Sequence, residues 1–97
     1  MIGPNPPVHP GEILQEEFLV PLDLAPYTVA RDCRVPRTRI ERLARCETPV
    51  TADTALRLGR YFNTGPEFWM NLQTLYDLAV GAAKAPDLAE IKPRAAA

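Results

Sequence analysis

Proline placement most limits how this 97-residue chain can fold, because its eleven prolines divide it into short segments. Proline lacks a backbone N–H and is tolerated in a helix only in the first turn, so each segment holds at most one uninterrupted helix. Within the segments, apolar residues recur at helical spacing, and no stretch alternates at a period of two. The sequence therefore predicts an all-α fold of five short helices joined by tight turns.

The prolines, together with one threonine and one glycine, also predict where each helix begins and ends. Prolines begin four of them, Thr51 is the expected N-cap of the remaining one, and Gly81 is expected to close the last. The predicted helices are 10–20, 26–33, 36–45, 52–62 and 66–80. Residues 9–81 are thus predicted to form the folded domain, residues 1–8 a flexible leader, and residues 82–97 a disordered tail.

Composition excludes several classes of protein. A hydrophobic content of 46% fits a folded core, and apolar runs of at most three residues are too short to span a membrane. With no signal peptide at its start, the chain is expected in the cytoplasm. Cys33, Cys46 and the single histidine, His9, are too few for a usual zinc site, and no phosphate loop or catalytic set is present. We therefore predict no metal, no cofactor and no enzymatic activity.

Charge is unevenly distributed in a chain whose net charge is only −1. Residues 1–24 contain four acidic side chains and no basic one, whereas residues 31–45 contain six arginines against two acids. An arginine cluster of this kind is the electrostatic footprint of a nucleic-acid-binding protein. A solvated helix face is the alternative explanation.

The third predicted helix separates an apolar stripe from a basic face when it is placed on a wheel of about 100° per residue. The stripe consists of Pro36, Ile40, Leu43 and Ala44. The opposite face carries Thr38, Arg39, Arg42 and Arg45. A helix fits the major groove of DNA, where guanidinium groups bind guanine edges or phosphates. These four residues are therefore candidate DNA contacts.

The second and third helices, separated by a short turn, are predicted to form a helix-turn-helix at about residues 26–45. Tyr27 and Thr28 begin the second helix, where they either contact phosphates or serve in capping and packing. Arg37 lies at the edge of the basic face, where it either contacts DNA or pairs with Glu41.

Three stretches of the chain form a recognisable signature. They are His9-Pro10-Gly11-Glu12-Ile13-Leu14 with Glu16-Glu17-Phe18 and Pro21-Leu22, Thr51-Ala52-Asp53-Thr54-Ala55-Leu56-Arg57-Leu58, and Pro66-Glu67-Phe68-Trp69-Met70-Asn71-Leu72-Gln73 with Tyr76-Asp77-Leu78. In this order they resemble HigA-type antitoxins, a branch of the lambda-repressor-like (Xre) helix-turn-helix family. The resemblance covers about residues 8–80 and implies a five-helix lambda-repressor-like DNA-binding domain.

The resemblance also implies two kinds of partner. One is a RelE-like ribonuclease toxin, encoded beside the antitoxin and inactivated by it. The other is double-stranded operator DNA of the same operon, bound by a homodimer. Because such a dimer has two-fold symmetry, the operator is expected to be an inverted repeat with half-sites about 34–36 Å apart.

The chain departs from the family pattern around the helix-turn-helix. Arg34 and Cys46 stand where relatives usually have glycine, so each turn is expected either to change shape or to be strained by roughly 1–2 kcal/mol. Glu47 follows where relatives are often basic, and Ala25-Pro26 replaces a polar cap of the second helix. We expect sequence-specific DNA binding that is weaker and more salt-sensitive than in relatives with the glycine turns.

Two further surfaces are predicted from apolar and acidic patterns. The apolar residues of the fifth helix span about 140°, more than the roughly 100° a single-chain bundle needs, so either a second subunit or deep packing covers the excess. The dimer-interface candidates are Phe68, Trp69, Leu72, Tyr76 and Val80. The acidic first helix either solubilises the chain or binds a basic toxin. The toxin-facing candidates are Glu12, Glu16, Glu17 and, as apolar anchor, Leu19.

Three functions compete at this point. The first is an antitoxin that also represses its own operon. The second is a stand-alone helix-turn-helix transcriptional regulator, and the third is an interaction module with weakened DNA binding, which the residues at Arg34, Cys46 and Glu47 motivate.

Overall fold

The computed structural model describes residues 7–95, and all regular structure within them is helical. Helix α1 has an α-helical part, Pro10–Ile13, and a π-helical part, Leu14–Leu19. The others are α2, Pro26–Cys33; α3, Arg37–Ala44; α4, Ala52–Tyr61; and α5, Pro66–Ala83. A 3₁₀ helix, Pro86–Glu90, follows. The prediction of an all-α fold with five helices is confirmed.

Side chains cap the N-termini of α1 and α4. The Nδ1 atom of His9 accepts a hydrogen bond of 2.9 Å from the N–H of Gly11. The Oγ1 atom of Thr51 accepts one of 3.3 Å from the N–H of Thr54, so the predicted cap of α4 is confirmed. In each helix the cap satisfies one of the backbone donors that have no intrahelical partner.

Four segments end in the same left-handed turn without glycine. The left-handed residues are Asp23, Arg34, Cys46 and Asn63, with φ between 53° and 63°. After α2, the N–H of Arg34 donates to the Arg31 carbonyl and that of Val35 to the Ala30 carbonyl. This pair of bonds defines a Schellman motif, and the same pair follows α3. The sequence predicted either a changed turn or a strained residue at Arg34 and Cys46. The structure retains the turn, and the strain falls on these two residues.

The core lies where α1 and α5 meet the helix-turn-helix and α4. Its largest fully buried side chains include Trp69, Leu14, Ile40 and Leu58. Gly11 lets α1 approach α3 closely, because a Cβ atom there would lie 1.8 Å from the Leu43 carbonyl oxygen. This contact holds the buried side of α3 against α1 and leaves the opposite side of α3 exposed.

The two ends of the chain differ from the sequence prediction. Helix α5 continues through Gly81, which keeps a negative φ, and ends at Ala83. Regular structure extends to Glu90, within the segment predicted to be disordered, because Pro86 begins the short 3₁₀ helix. Residues 1–6 of the predicted leader and residues 96–97 of the predicted tail lie outside the described residues. In the described part of the chain, no helix is long and apolar enough to cross a membrane.

Candidate nucleic-acid interface

The predicted helix-turn-helix at residues 26–45 consists of α2, the left-handed turn at Arg34, and α3. Val29, Ala30 and Cys33 anchor α2 in the core, and Ile40 and Leu43 anchor α3. On the other side of α3, the side chains of Thr38, Arg42 and Arg45 are exposed, as the helical wheel predicted. Within residues 7–95, neither Arg42 nor Arg45 forms an ion pair, so both guanidinium groups are available to a ligand.

Arg39 differs from its neighbours because its guanidinium group is paired. It donates to Oδ2 of Asp53 at the start of α4 and keeps 40% of its side chain exposed. The Nε of Arg57, one turn further along α4, donates to both oxygens of the same carboxylate at 3.0 and 3.1 Å. Hydrogen bonds from Arg39 and Arg57 hold the pKa of Asp53 below its usual value. The helical wheel of α3 could not identify Asp53 as a partner of Arg39, because Asp53 lies on a different helix. The sequence shows only that Asp53 lies four residues before Arg57.

Arg37 lies at the edge of the exposed face, and its Nε is 3.5 Å from Oε2 of Glu41. This is the helix pair that was one of the two alternatives for Arg37. The pair is exposed, so it contributes only a few tenths of a kcal/mol to stability.

A cleft of 390 Å³ separates the exposed side of α3 from the beginning of α4. Its lining residues are Pro36, Thr38, Arg39, Arg42, Thr48, Pro49, Thr51 and Thr54. Guanidinium N–H groups and threonine hydroxyls are the donors that bind phosphate and sugar oxygens. The cleft therefore extends the candidate interface beyond α3 to Thr48 and Thr51, which the sequence did not identify as DNA contacts.

The beginning of α2 contributes Tyr27 and Thr28, as predicted. Tyr27 is exposed and Thr28 is half-buried. The guanidinium carbon of Arg31 lies 5.9 Å from the centre of the Tyr27 ring, a distance at which a cation is attracted to an aromatic face. Sequence reasoning did not select Arg31, although it lies four residues after Tyr27 on one side of a helix.

Trp69 is wrongly placed by the dimer-interface prediction. Its side chain is 0% exposed and packs against the rings of Phe18 and Phe68, with centroids 5.2 and 5.1 Å away. The first half of α5 is thus the core-facing half. The other four candidates, Phe68, Leu72, Tyr76 and Val80, are each partly exposed. On the same helix, Leu75 and Leu78 are each 52% exposed.

Leu19 is wrongly placed by the toxin-contact prediction, because only 2% of its side chain is exposed. The choice of Leu19 assumed a regular α-helix, whereas residues 14–19 form a wider π-helical turn, which changes the direction of each side chain around the axis. Val20 and Leu22 are the exposed apolar residues instead, at 64% and 56%. Glu12, Glu16 and Glu17 are exposed, as the prediction required.

Known proteins resemble this chain along almost all of the described domain, although no protein-family model matches it. The chain is similar to the solved structure of the Pseudomonas aeruginosa antitoxin HigA with the higBA promoter. The two have a TM-score of 0.85 and 43% sequence identity over 91% of this chain and 98% of that one. This chain belongs to the HigA family of antitoxins.

Two further relatives extend the comparison. The antitoxin HigA-1 of Vibrio cholerae is 35% identical over 74% of this chain and 68% of its own length. Virulence-associated protein I of Dichelobacter nodosus is 48% identical over 75% of this chain and 68% of its own length. The resemblance to HigA antitoxins and to the helix-turn-helix family, predicted from the sequence, is therefore confirmed.

Proposed function

We propose that this HigA-family antitoxin binds operator DNA of its own operon as a homodimer and, through a second surface, inactivates a RelE-like ribonuclease toxin. It acts in the cytoplasm, by binding and not by catalysis. The observation that carries the DNA-binding part is the exposed face of α3, formed by Thr38, Arg42 and Arg45. This face projects from a helix whose opposite side is buried.

The retained turns support specific DNA recognition. In a helix-turn-helix, the angle between the two helices decides which residues of the second helix contact base edges. Arg34 keeps the left-handed conformation of a glycine turn, and Cys46 does the same after α3. The strain therefore lowers the free energy of unfolding of the domain, but the turn keeps its shape and with it the direction of α3. This weakens the case for an interaction module without DNA binding.

The experiment that tests DNA recognition compares Arg42→Ala with Arg60→Ala, which removes an exposed arginine near the other end of α4. Binding is measured to the promoter fragment upstream of this gene and to scrambled DNA at two salt concentrations. If Arg42 binds a guanine edge, its removal costs about 1–3 kcal/mol on the promoter and relaxes the preference at one base position. Arg60→Ala should reduce affinity for both fragments by the same small factor.

Two results would contradict this assignment. If the unchanged protein binds promoter and scrambled DNA equally, it is not a sequence-specific repressor. If Arg42→Ala and Arg60→Ala have the same effect, α3 is only a general basic surface.

The proposed toxin-binding surface lies on and after α1. Glu16 and Glu17 are exposed beside Val20 and Leu22, so the surface combines negative charge with apolar contact area. A basic ribonuclease would be attracted by the charge, and the apolar side chains would supply the contact that a stable interface needs. Val20 and Leu22 take the place predicted for Leu19.

Co-expression with the neighbouring reading frame tests the antitoxin part. We expect the neighbour to encode a small protein that stops growth alone and is neutralised by this chain. A neighbour that is harmless alone would favour the stand-alone regulator.

A further inference from the structure

The Arg39–Asp53 pair belongs to a longer chain of hydrogen bonds that ends in the backbone. Nη1 of Arg57 donates to the carbonyl oxygen of Cys33, the last residue of α2, at 2.9 Å. The Nε of the same guanidinium binds both carboxylate oxygens of Asp53. The carboxylate that receives Arg39 is therefore fixed relative to both α2 and α4.

Arg39 retains donors for a second partner. A guanidinium group has five N–H donors, and the contact with Asp53 uses Nη1. Its side chain also lines the cleft between α3 and α4 beside Thr38 and Arg42. A paired arginine in this position has one preferred conformation, so it loses less conformational freedom when it binds a ligand in that conformation.

We propose that Asp53 is a positioning residue for sequence recognition, which fixes Arg39 in the conformation that contacts a base edge. This inference rests on the proposed binding of operator DNA. Asp53 also partly neutralises Arg39, which reduces its attraction to phosphates of any sequence. Both effects act in the same direction, because they raise the ratio of operator affinity to non-specific affinity.

The test compares Asp53→Asn with Asp32→Asn. Both variants remove one exposed negative charge that is bonded to an arginine, since Asp32 accepts from Arg31 and from the Tyr61 hydroxyl. The measured quantity is the ratio of affinities for the promoter fragment and for scrambled DNA, at two salt concentrations. We expect Asp53→Asn to lower this ratio about five- to tenfold, in the range of one well-formed base contact. Asp32→Asn should leave the ratio unchanged.

Arg57→Lys tests the same arrangement without changing net charge. A lysine cannot hold both the Asp53 carboxylate and the Cys33 carbonyl in the planar geometry of a guanidinium group. It is expected to lower the affinity ratio while leaving affinity for scrambled DNA unchanged. Thermal unfolding of each variant is measured beforehand, and binding is compared well below the lowest midpoint.

A double-mutant cycle decides whether Asp53 acts through Arg39. In an Arg39→Ala background, Asp53→Asn should no longer change the affinity ratio. Additive effects of the two substitutions, or equal ratios for Asp53→Asn and Asp32→Asn, would overturn the inference while the unchanged protein still prefers its promoter. If the unchanged protein shows no preference, the proposed function itself fails and the inference fails with it.

Discussion

Replacing Arg34 with glycine is expected to stabilise the protein, although the substitution removes a long side chain. Arg34 has a φ of 61°, where an L-residue with a Cβ atom is strained by roughly 1–2 kcal/mol. Glycine relieves this strain but loses about 0.5–1 kcal/mol more conformational freedom on folding. The net gain in the free energy of unfolding therefore lies between 0 and about 1.5 kcal/mol, with a central value of about 0.75 kcal/mol. Arg34 is exposed, and within residues 7–95 it forms no ion pair whose loss would offset this gain.

Arg45→Gly is the matched control for this prediction. It also removes one exposed arginine at the end of a helix, but Arg45 has a φ of −86° and is not strained. Glycine there brings only the entropic cost, so we expect a loss of about 0.5–1 kcal/mol. Calorimetry should show a midpoint shift of up to about 4–8 °C upward for Arg34→Gly and a comparable shift downward for Arg45→Gly. Shifts of the same sign in both variants would refute the argument from backbone conformation.

Three further predictions concern the core, the subunit interface and pH. Trp69→Ala should lower the free energy of unfolding by about 3–5 kcal/mol, measured by urea denaturation, because the side chain is fully buried. Light scattering should show that Leu75→Asp converts the proposed dimer into a folded monomer, whereas Thr74→Asp at the exposed neighbouring position does not. A dimer that survives Leu75→Asp would place the interface elsewhere. Burial lowers the pKa of His9 more than the charge of Asp77 raises it, so folding favours the neutral, accepting imidazole. The resulting stabilisation is complete above pH 6.5 and is lost as the pH falls from there through the lowered pKa of His9 in the folded protein. The variant His9→Asn, which retains a capping acceptor, should therefore lose less stability than the unchanged protein between pH 7.5 and pH 5.

Short-range signals in the sequence determined the helices and much of the exposed face of α3. The Thr51 cap and the Arg37–Glu41 pair join residues three or four positions apart, so helix geometry alone brings them together. The exposure of Arg42 and Arg45 followed from the burial of Ile40 by the same periodicity. These features needed no knowledge of how the helices pack.

Tertiary structure decided the features that depend on packing or on chain geometry away from the ideal helix. The π-helical turn of α1 buried Leu19, and packing against α1 buried Trp69, although helical periodicity placed each at an interface. Arg39 meets Asp53 across fourteen residues, and this contact exists only because α3 and the start of α4 are brought together by the core beneath them. A periodic pattern specifies which side of a helix is apolar, but it does not specify which neighbour covers that side.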